Sequence, residues 1–437
     1  MAKIKQFIVF FVFFLVPLQA GANSLVYDLK SAVDYALKAN PGVEATLKVI
    51  ERAKMDVGVA SSYFLPSVSV FHSRSKLDNE GDIGTSEDYT NTSKSSGIRV
   101  NLNVFSGFSH LNNLQKSMLS VDVENARHRQ ARLELIGNIQ MQFLHLLKSR
   151  EDMKIVQDSK KRITTQLESA RAFVKVGMAP YLNVLQNEVE LSKVQQQEIR
   201  AANTIRNAEV MLNKYLGYDA NTPVTYIGDL TSYSGVVPYS EEEAINVSLY
   251  SRPDLIMAQK SVAVAIKQSH ATAGRYLPTV NFSYDSARTA KDYDDSTYDR
   301  DYSRSYWNLG LNVSWEIFAG GGTTYALLGE RKTVEALRKS YEDTMNGARA
   351  DVIKSLLDIE AAKELIATSR KGMEAATESY NMASKRYNTS TGTITELLDA
   401  QLRLTEAEAD YAMALAEYQT ARSRFFYHVG KENPGLD

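Results

Sequence analysis

The chain has 437 residues, 44% hydrophobic and 23% charged, with 50 basic against 52 acidic side chains and no cysteine. This composition argues against a helical membrane protein and leaves no global basic field for nucleic acid. Without cysteine there are no disulfides, thiolate metal sites or cysteine nucleophile, which suits a protein living outside the reducing cytoplasm.

Met1 to Ala22 reads as a secretory leader. Lys3 and Lys5 precede an apolar run from Phe7 to Val16, and Ala20-Gly21-Ala22 gives the small-x-small cleavage pattern, so the mature chain is expected to begin near Asn23. The run is shorter than the roughly 20 apolar residues that a spanning helix needs. No later stretch is long and oily enough either, so a membrane location has to be built from strands.

The rest of the chain repeats itself. Pro41 and Pro253, and Pro66 and Pro278, are spaced by 212 residues; Phe105-Ser106-Gly107 and Phe318-Ala319-Gly320, and Leu216-Gly217 and Val429-Gly430, are spaced by 213. Four landmarks in one register, with a single one-residue slip, mark two copies of one unit. The expected divisions are a leader (1–22), a first repeat (23–217), a connecting segment (218–243), a second repeat (244–430) and a tail (431–437).

Each copy opens with a helical segment, Val43 to Ser62 or Leu255 to Gly274, that stops before Leu-Pro. An alternating strand follows: Val68 and Val70 against serines, then Val280, Phe282 and Tyr284 against polar neighbours. Polar, acidic loops are expected at Asp78 to Ser96 and Ser286 to Arg304. The returning strand is Ile98, Val100, Leu102 and Val104 in the first copy. In the second it is Trp307 to Phe318, with Trp307, Leu309, Leu311, Val313, Trp315 and Ile317 on its oily face. The hairpins span roughly the 9 to 11 residues of a membrane strand, with Trp307, Trp315, Tyr276 and Tyr284 expected near strand ends. Four strands cannot close a barrel and lipid forbids an open edge, so several chains must share one.

Gly107 and the run Gly320, Gly321, Gly322 turn each hairpin into a helix. From Ser109 to Lys175 and from Thr323 to Tyr387 no proline intervenes, which predicts helices of about 100 Å. Returning helices are expected at Tyr181 to Tyr215 and Ile394 to His428. In the last one Leu397, Leu404, Tyr411, Tyr418 and Phe425 recur every seven residues, as do Ala400, Ala407, Ala414 and Ala421, which is a heptad seam for an antiparallel partner. The six histidines are scattered and the glycine run lacks the Gly-Lys-Thr of a phosphate loop. No catalysis, cofactor or metal is expected.

The two-fold repeat, the paired hairpins, Phe173-Val174-Lys175-Val176-Gly177 before Asn183-Val184-Leu185-Gln186, and Arg386-Tyr387 before Glu396-Leu397-Leu398-Asp399-Ala400-Gln401 resemble the TolC-like outer-membrane efflux and type I secretion channels. The resemblance implies a homotrimer in the outer-membrane lipid of a Gram-negative bacterium. Its fold class would be a twelve-stranded β-barrel, four strands per protomer, continued by a long α-helical coiled-coil tunnel through the periplasm. A periplasmic membrane-fusion adaptor and an inner-membrane ABC or other pump would be its partners. The tips become Gly177 to Gln186 and Ser390 to Asp399, with Gly177, Ser390 and Gly392 as adaptor-docking turns and Asn183, Gln186, Tyr387, Glu396 and Asp399 at the constriction. Ser390 stands where a glycine is usual, and Asn183 where an aspartate is common. Acids in the first turn of a helix also offset its dipole without any gating role. The expected function is an exit duct energised from elsewhere. The alternative is a trimeric outer-membrane adhesin on a coiled-coil stalk, against which the internal duplication argues.

Overall fold

The computed structural model describes residues 25–79, 89–230, 238–294 and 302–433; the expected leader lies outside the described residues. Short strand β1 (Leu25–Tyr27) leads into α1 (Leu29–Ala39) and α2 (Pro41–Ser62), then β2 (Ser67–Asn79), β3 (Tyr89–Ser106), α3 (Ser109–Lys175), α4 (Leu182–Leu216) and β4 (Val224–Tyr226). The plan then recurs as α5 (Glu241–Ser251), α6 (Pro253–Ala273), β5 (Thr279–Asp294), β6 (Tyr302–Ser314), α7 (Gly322–Asn388) and α8 (Ile394–Val429). Both long helices have 67 residues, about 100 Å at the α-helical rise. Among the described residues no helix is long and apolar enough to cross a membrane.

Local chemistry sets the boundaries. Pro41 and Pro253 each occupy the first turn of a helix, where a missing N–H costs nothing. Gly217 and Gly430 end α4 and α8 in the left-handed region, at φ +83° and +76°. Each lies against the junction of the two short helices of its own repeat, Gly217 on Ala39 and Pro41, Gly430 on Ser251 and Arg252. The two halves are thus built alike.

The hairpins form one four-stranded antiparallel sheet in the order β2-β3-β5-β6. Its register puts Val68, Val100, Tyr284 and Leu309 side by side, and likewise Leu102, Phe282 and Leu311. One face is therefore apolar, and the opposite face carries Ser69, Arg99, Asp285 and Asn308. A bulge at Asn103/Phe105 keeps Phe105 on the apolar side, opposite Val280. Both edge strands, β2 and β6, have a free side within the chain.

The strands differ from expectation in two ways. They run to 13, 18, 16 and 13 residues, through most of the segments expected as loops at Asp78 to Ser96 and Ser286 to Arg304. Those outer parts are rich in Ser, Thr and Lys on both faces; outside lipid a strand needs no alternation, so the period-2 signal vanishes while the pairing continues. Conversely, β6 stops at Ser314, and Trp315 to Phe318 lie beyond it. Tyr284 and Trp307 consequently sit inside their strands rather than near the ends. Trp315 is outside, with its indole N–H donating to the Tyr276 carbonyl at 3.0 Å. From Trp307 to Trp315 the rise is about 26 Å, close to the height of an outer-membrane apolar band.

The main core lies halfway along α3, where Ile136, Ile139, Phe143 and Leu147 meet Leu29, Val33 and Ala36 of α1 and Leu212 and Leu216 of α4. The connecting segment takes part in it through Tyr226 and Leu230. β4 pairs in parallel with β1, and Tyr226 is buried with its hydroxyl donating to Asn213 at 2.7 Å. β1 and β4 are too short to give a sequence signal.

Candidate functional site: strand-to-helix junctions and helix tips

The path from sheet to helix needs two successive left-handed residues. Gly107 and Phe108 supply them in the first repeat at φ +62° and +65°, Gly320 and Gly321 in the second at +61° and +83°. Gly322 is the first residue of α7. A phenylalanine at such a φ costs about 1–2 kcal/mol. Gly107 is constrained twice, because a Cβ there would overlap the Gly274 carbonyl of the second repeat. Gly320 faces open space in the single chain.

At the far end of the long helices the two tips are copies. Gly177 at φ +75° lets the Met178 N–H donate to the Phe173 carbonyl at 2.8 Å, and Ser390 at φ +60° lets the Thr391 N–H donate to the Arg386 carbonyl at 2.8 Å. Both turns are the same helix-ending motif, usually built on glycine. Gly392 then passes so close to Arg386 and Glu396 that a Cβ would crowd both. Thr393 caps α8 by accepting the Glu396 N–H at 3.2 Å.

The acids at this tip are not bare. Glu396 lies 3.4 Å from the guanidinium of Arg386 across the turn, and Asp399 accepts from Arg403 at 3.0 Å. All four side chains are exposed. Asp399 and Gln186 line an apolar groove between α4 and α8, with Leu182, Leu185 and Leu402. Asn183 sits half-buried in the first turn of α4, its carbonyl accepting from the Asn187 amide at 2.8 Å. Tyr387 is buried, packed edge-on to Phe173 of α3 at 5.9 Å and against Ile394 and Leu397. Its hydroxyl has no partner among the described residues. The structure thus brings Glu396, Asp399 and Gln186 to the exposed end of α4 and α8, and puts Tyr387 behind them as a tie between repeats.

Several participants escape sequence reading. Asp399 and Arg403 stand four apart in the favourable order and were legible as a helix pair. Arg386 and Glu396 are joined only by the turn. The main lock between the two coiled-coil pairs joins residues far apart in sequence: Arg162 of α3 grips Glu408 of α8 with two hydrogen bonds of 3.2 and 2.9 Å. Beside it the Gln166 amide donates to Gln401, which donates to Ser159, at 3.1 and 3.2 Å.

Long helical hairpins capped by a two-faced sheet are a form with known counterparts. The family model described as outer membrane efflux protein matches residues 32–218 and again 244–430, once per repeat. Outer membrane protein TolC of Vibrio cholerae serotype O1 is 20% identical over 320 residues, covering 70% of this chain and 71% of that protein. Alkaline protease secretion protein AprF of Pseudomonas aeruginosa is 20% identical over 440 residues, covering 95% of this chain and 87% of its own. In solved structures, the outer-membrane channel OprN superposes with a TM-score of 0.81 at 18% identity, covering 94% of this chain and 91% of that one. With both halves matched, the chain belongs to the outer membrane efflux protein family and is an outer-membrane exit duct for efflux or type I secretion.

Proposed function

We propose that three copies close one twelve-stranded barrel, four strands from each, and that their helices continue it as a periplasmic tunnel gated at the tips. The observation that carries this reading is the sheet itself: it is oily on one face, polar on the other, and open at β2 and β6. In lipid those edges must be paired, and four strands are too few to pair them with each other. The repeats (23–217 and 244–430, after a leader at 1–22) are then six staves of one wall, with 218–243 at its waist and 431–437 as a tail. Glu396, Asp399, Asn183, Gln186 and Tyr387 form the closure. The turns at Gly177, Ser390 and Gly392 meet the periplasmic adaptor, through which an inner-membrane pump supplies the energy.

The test is conductance across a planar bilayer. The wild-type protein is expected to give a narrow channel whose conductance rises in Asp399→Ala and in Glu396→Ala. No channel at all from folded, membrane-inserted protein overturns the duct reading and favours the adhesin.

A further inference from the structure

The main contacts between the two repeats of one chain have counterpart positions that the described residues leave unfilled. β3 pairs with β5, while β6 and β2 are free. α6 packs on both α3 and α7, whereas the long helix that touches α2 is α3. The imbalance shows in burial: Ala271 on α6 is 6% exposed but its equivalent on α2, Val59, is 57% exposed. Leu144 on α3 is 2% exposed and its equivalent on α7, Leu357, is 60% exposed. What is missing from α7 is the first repeat of another copy.

The repeat register says which residues meet. Prolines at both ends of α2 and α6 fix an offset of 212 there, and the identical 67-residue lengths of α3 and α7, bounded by matching left-handed turns, fix 213. Across the filled seam, Lys260 of α6 binds Asp122 of α3 at 2.8 Å. The equivalent of Lys260 is Lys48 and that of Asp122 is Glu335, so the opposite charges are kept in the same orientation. Among the described residues Lys48 pairs only with Glu51 (3.1 Å) and Glu335 only with Lys332 (2.7 Å), each an exposed pair on its own helix.

We propose that Lys48 of one copy binds Glu335 of the next, making a charge chain Glu51–Lys48–Glu335–Lys332 that sets the register between α2 and α7 of neighbouring protomers. This deepens the trimeric reading and rests on it. The partner is a second copy of this chain, chosen by charge complementarity and by continuity with the α3–α6 contact that the chain already makes. Four alternating charges held between two helices are worth more than either exposed pair alone, because the side chains are partly shielded and already ordered.

Because the natural chain has no cysteine, two introduced thiols are the only reactive ones. In the full-length, membrane-inserted protein, Lys48→Cys/Glu335→Cys treated with a short thiol-to-thiol crosslinker is expected to give covalent dimers and trimers. Neither single variant should do so. Asp122→Cys/Lys260→Cys is expected to link within the chain without adding mass, which calibrates the reach of the reagent. Separately, Lys48→Glu and Glu335→Lys should each lower the urea midpoint for trimer dissociation, and the two together should restore it. Particles of trimer mass that yield no covalent oligomer, or a double charge swap no better than the singles, overturn the register while leaving the trimer standing. Particles of monomer mass overturn both.

Discussion

Ser390 holds a backbone shape that its side chain disfavours. At φ +60° it occupies the same place in the tip turn as Gly177 at +75°, and an L-residue there gives up about 1 kcal/mol relative to glycine. Ser390→Gly is therefore expected to steady the tip by about that amount, partly offset by the greater freedom of glycine in the unfolded chain. Slower amide hydrogen exchange over residues 386–392, with Gly177→Ser giving faster exchange over its own turn, is the measurement; unchanged exchange in both removes the idea of strain. A second residue-scale effect lies in the waist. His428 is half-buried 3.6 Å from Asp351, while Arg252 binds both Asp351, at 3.0 Å, and Asp254, at 2.8 Å. Burial lowers the His428 pKa, as do Arg252 and Arg424, against the pull of Asp351 and Asp254. A base whose folded pKa is depressed contributes stability that is intact above its unfolded value of about 6.5 and is lost as pH falls through the folded value. His428→Gln should flatten the fall in melting temperature below about pH 6.5; a wild-type slope in the variant would assign that loss to another group.

At the scale of elements, the arginines change what the tip acids can do. Three copies of Glu396 alone would make a ring that favours cations, but with Arg386 3.4 Å away the pair is nearly neutral and joins the end of α7 to the start of α8. If Glu396 acts as half of a latch, Arg386→Ala raises conductance as Glu396→Ala does. If it acts as a ring charge, Arg386→Ala strengthens cation selectivity and leaves conductance low. Bilayer recordings of the two variants side by side separate these, and the latch is the outcome the turn geometry favours. The elements themselves were legible in proportion to how strongly one rule governed them. The long helices and their ends could be read to within a residue, because proline is absent inside and glycine or Leu-Pro stands outside. The strands could be read where apolar alternation held, at Val68 to Val70, Ile98 to Val104, Val280 to Tyr284 and Trp307 to Val313, and were lost in their Ser- and Thr-rich outer halves. Of the tip, the turns could be placed by repeat register. The Arg386 partner of Glu396 across the turn and the edge-on packing of Phe173 on Tyr387 required coordinates, since nothing local in sequence sets that turn's ion pair or brings α3 to α7.

For the whole molecule, the two kinds of seam in the proposed six-stave wall are not equally firm. Within a chain, α3 and α8 are locked by the two-point Arg162–Glu408 pair, both side chains largely shielded, and by the Gln166–Gln401–Ser159 chain. Carried through the repeat register to the seam between protomers, Arg162 becomes Ala375 and Glu408 becomes Gln195, while Gln166 and Ser159 become Ser379 and Gly372. The lock disappears: small side chains stand in for it on α7, while α4 offers Gln195 and, in place of Gln401, Glu188. Nearer the barrel, the proposed Lys48–Glu335 pairing keeps its charges. In the proposed trimer, copies would thus be held together near the membrane and left unlatched towards the tips, which predicts that the tunnel opens by separation of protomers at the α7–α4 seam rather than by splitting within one. A charged hydrogen-bonded pair that is partly buried contributes about 1.5–3 kcal/mol. Building it at the weak seam, with Ala375→Arg and Gln195→Glu together, should hold the closed state: single-channel conductance and cargo export fall, and the trimer melts at higher temperature. Either change alone should do less, since it leaves one new charge unpaired. Breaking the strong seam by Arg162→Ala should destabilise each protomer without raising conductance as much as the tip variants do. If the double variant is trimeric and conducts as the wild type does, the protomer seam is not where the tunnel opens, and the repeats must part inside the chain instead.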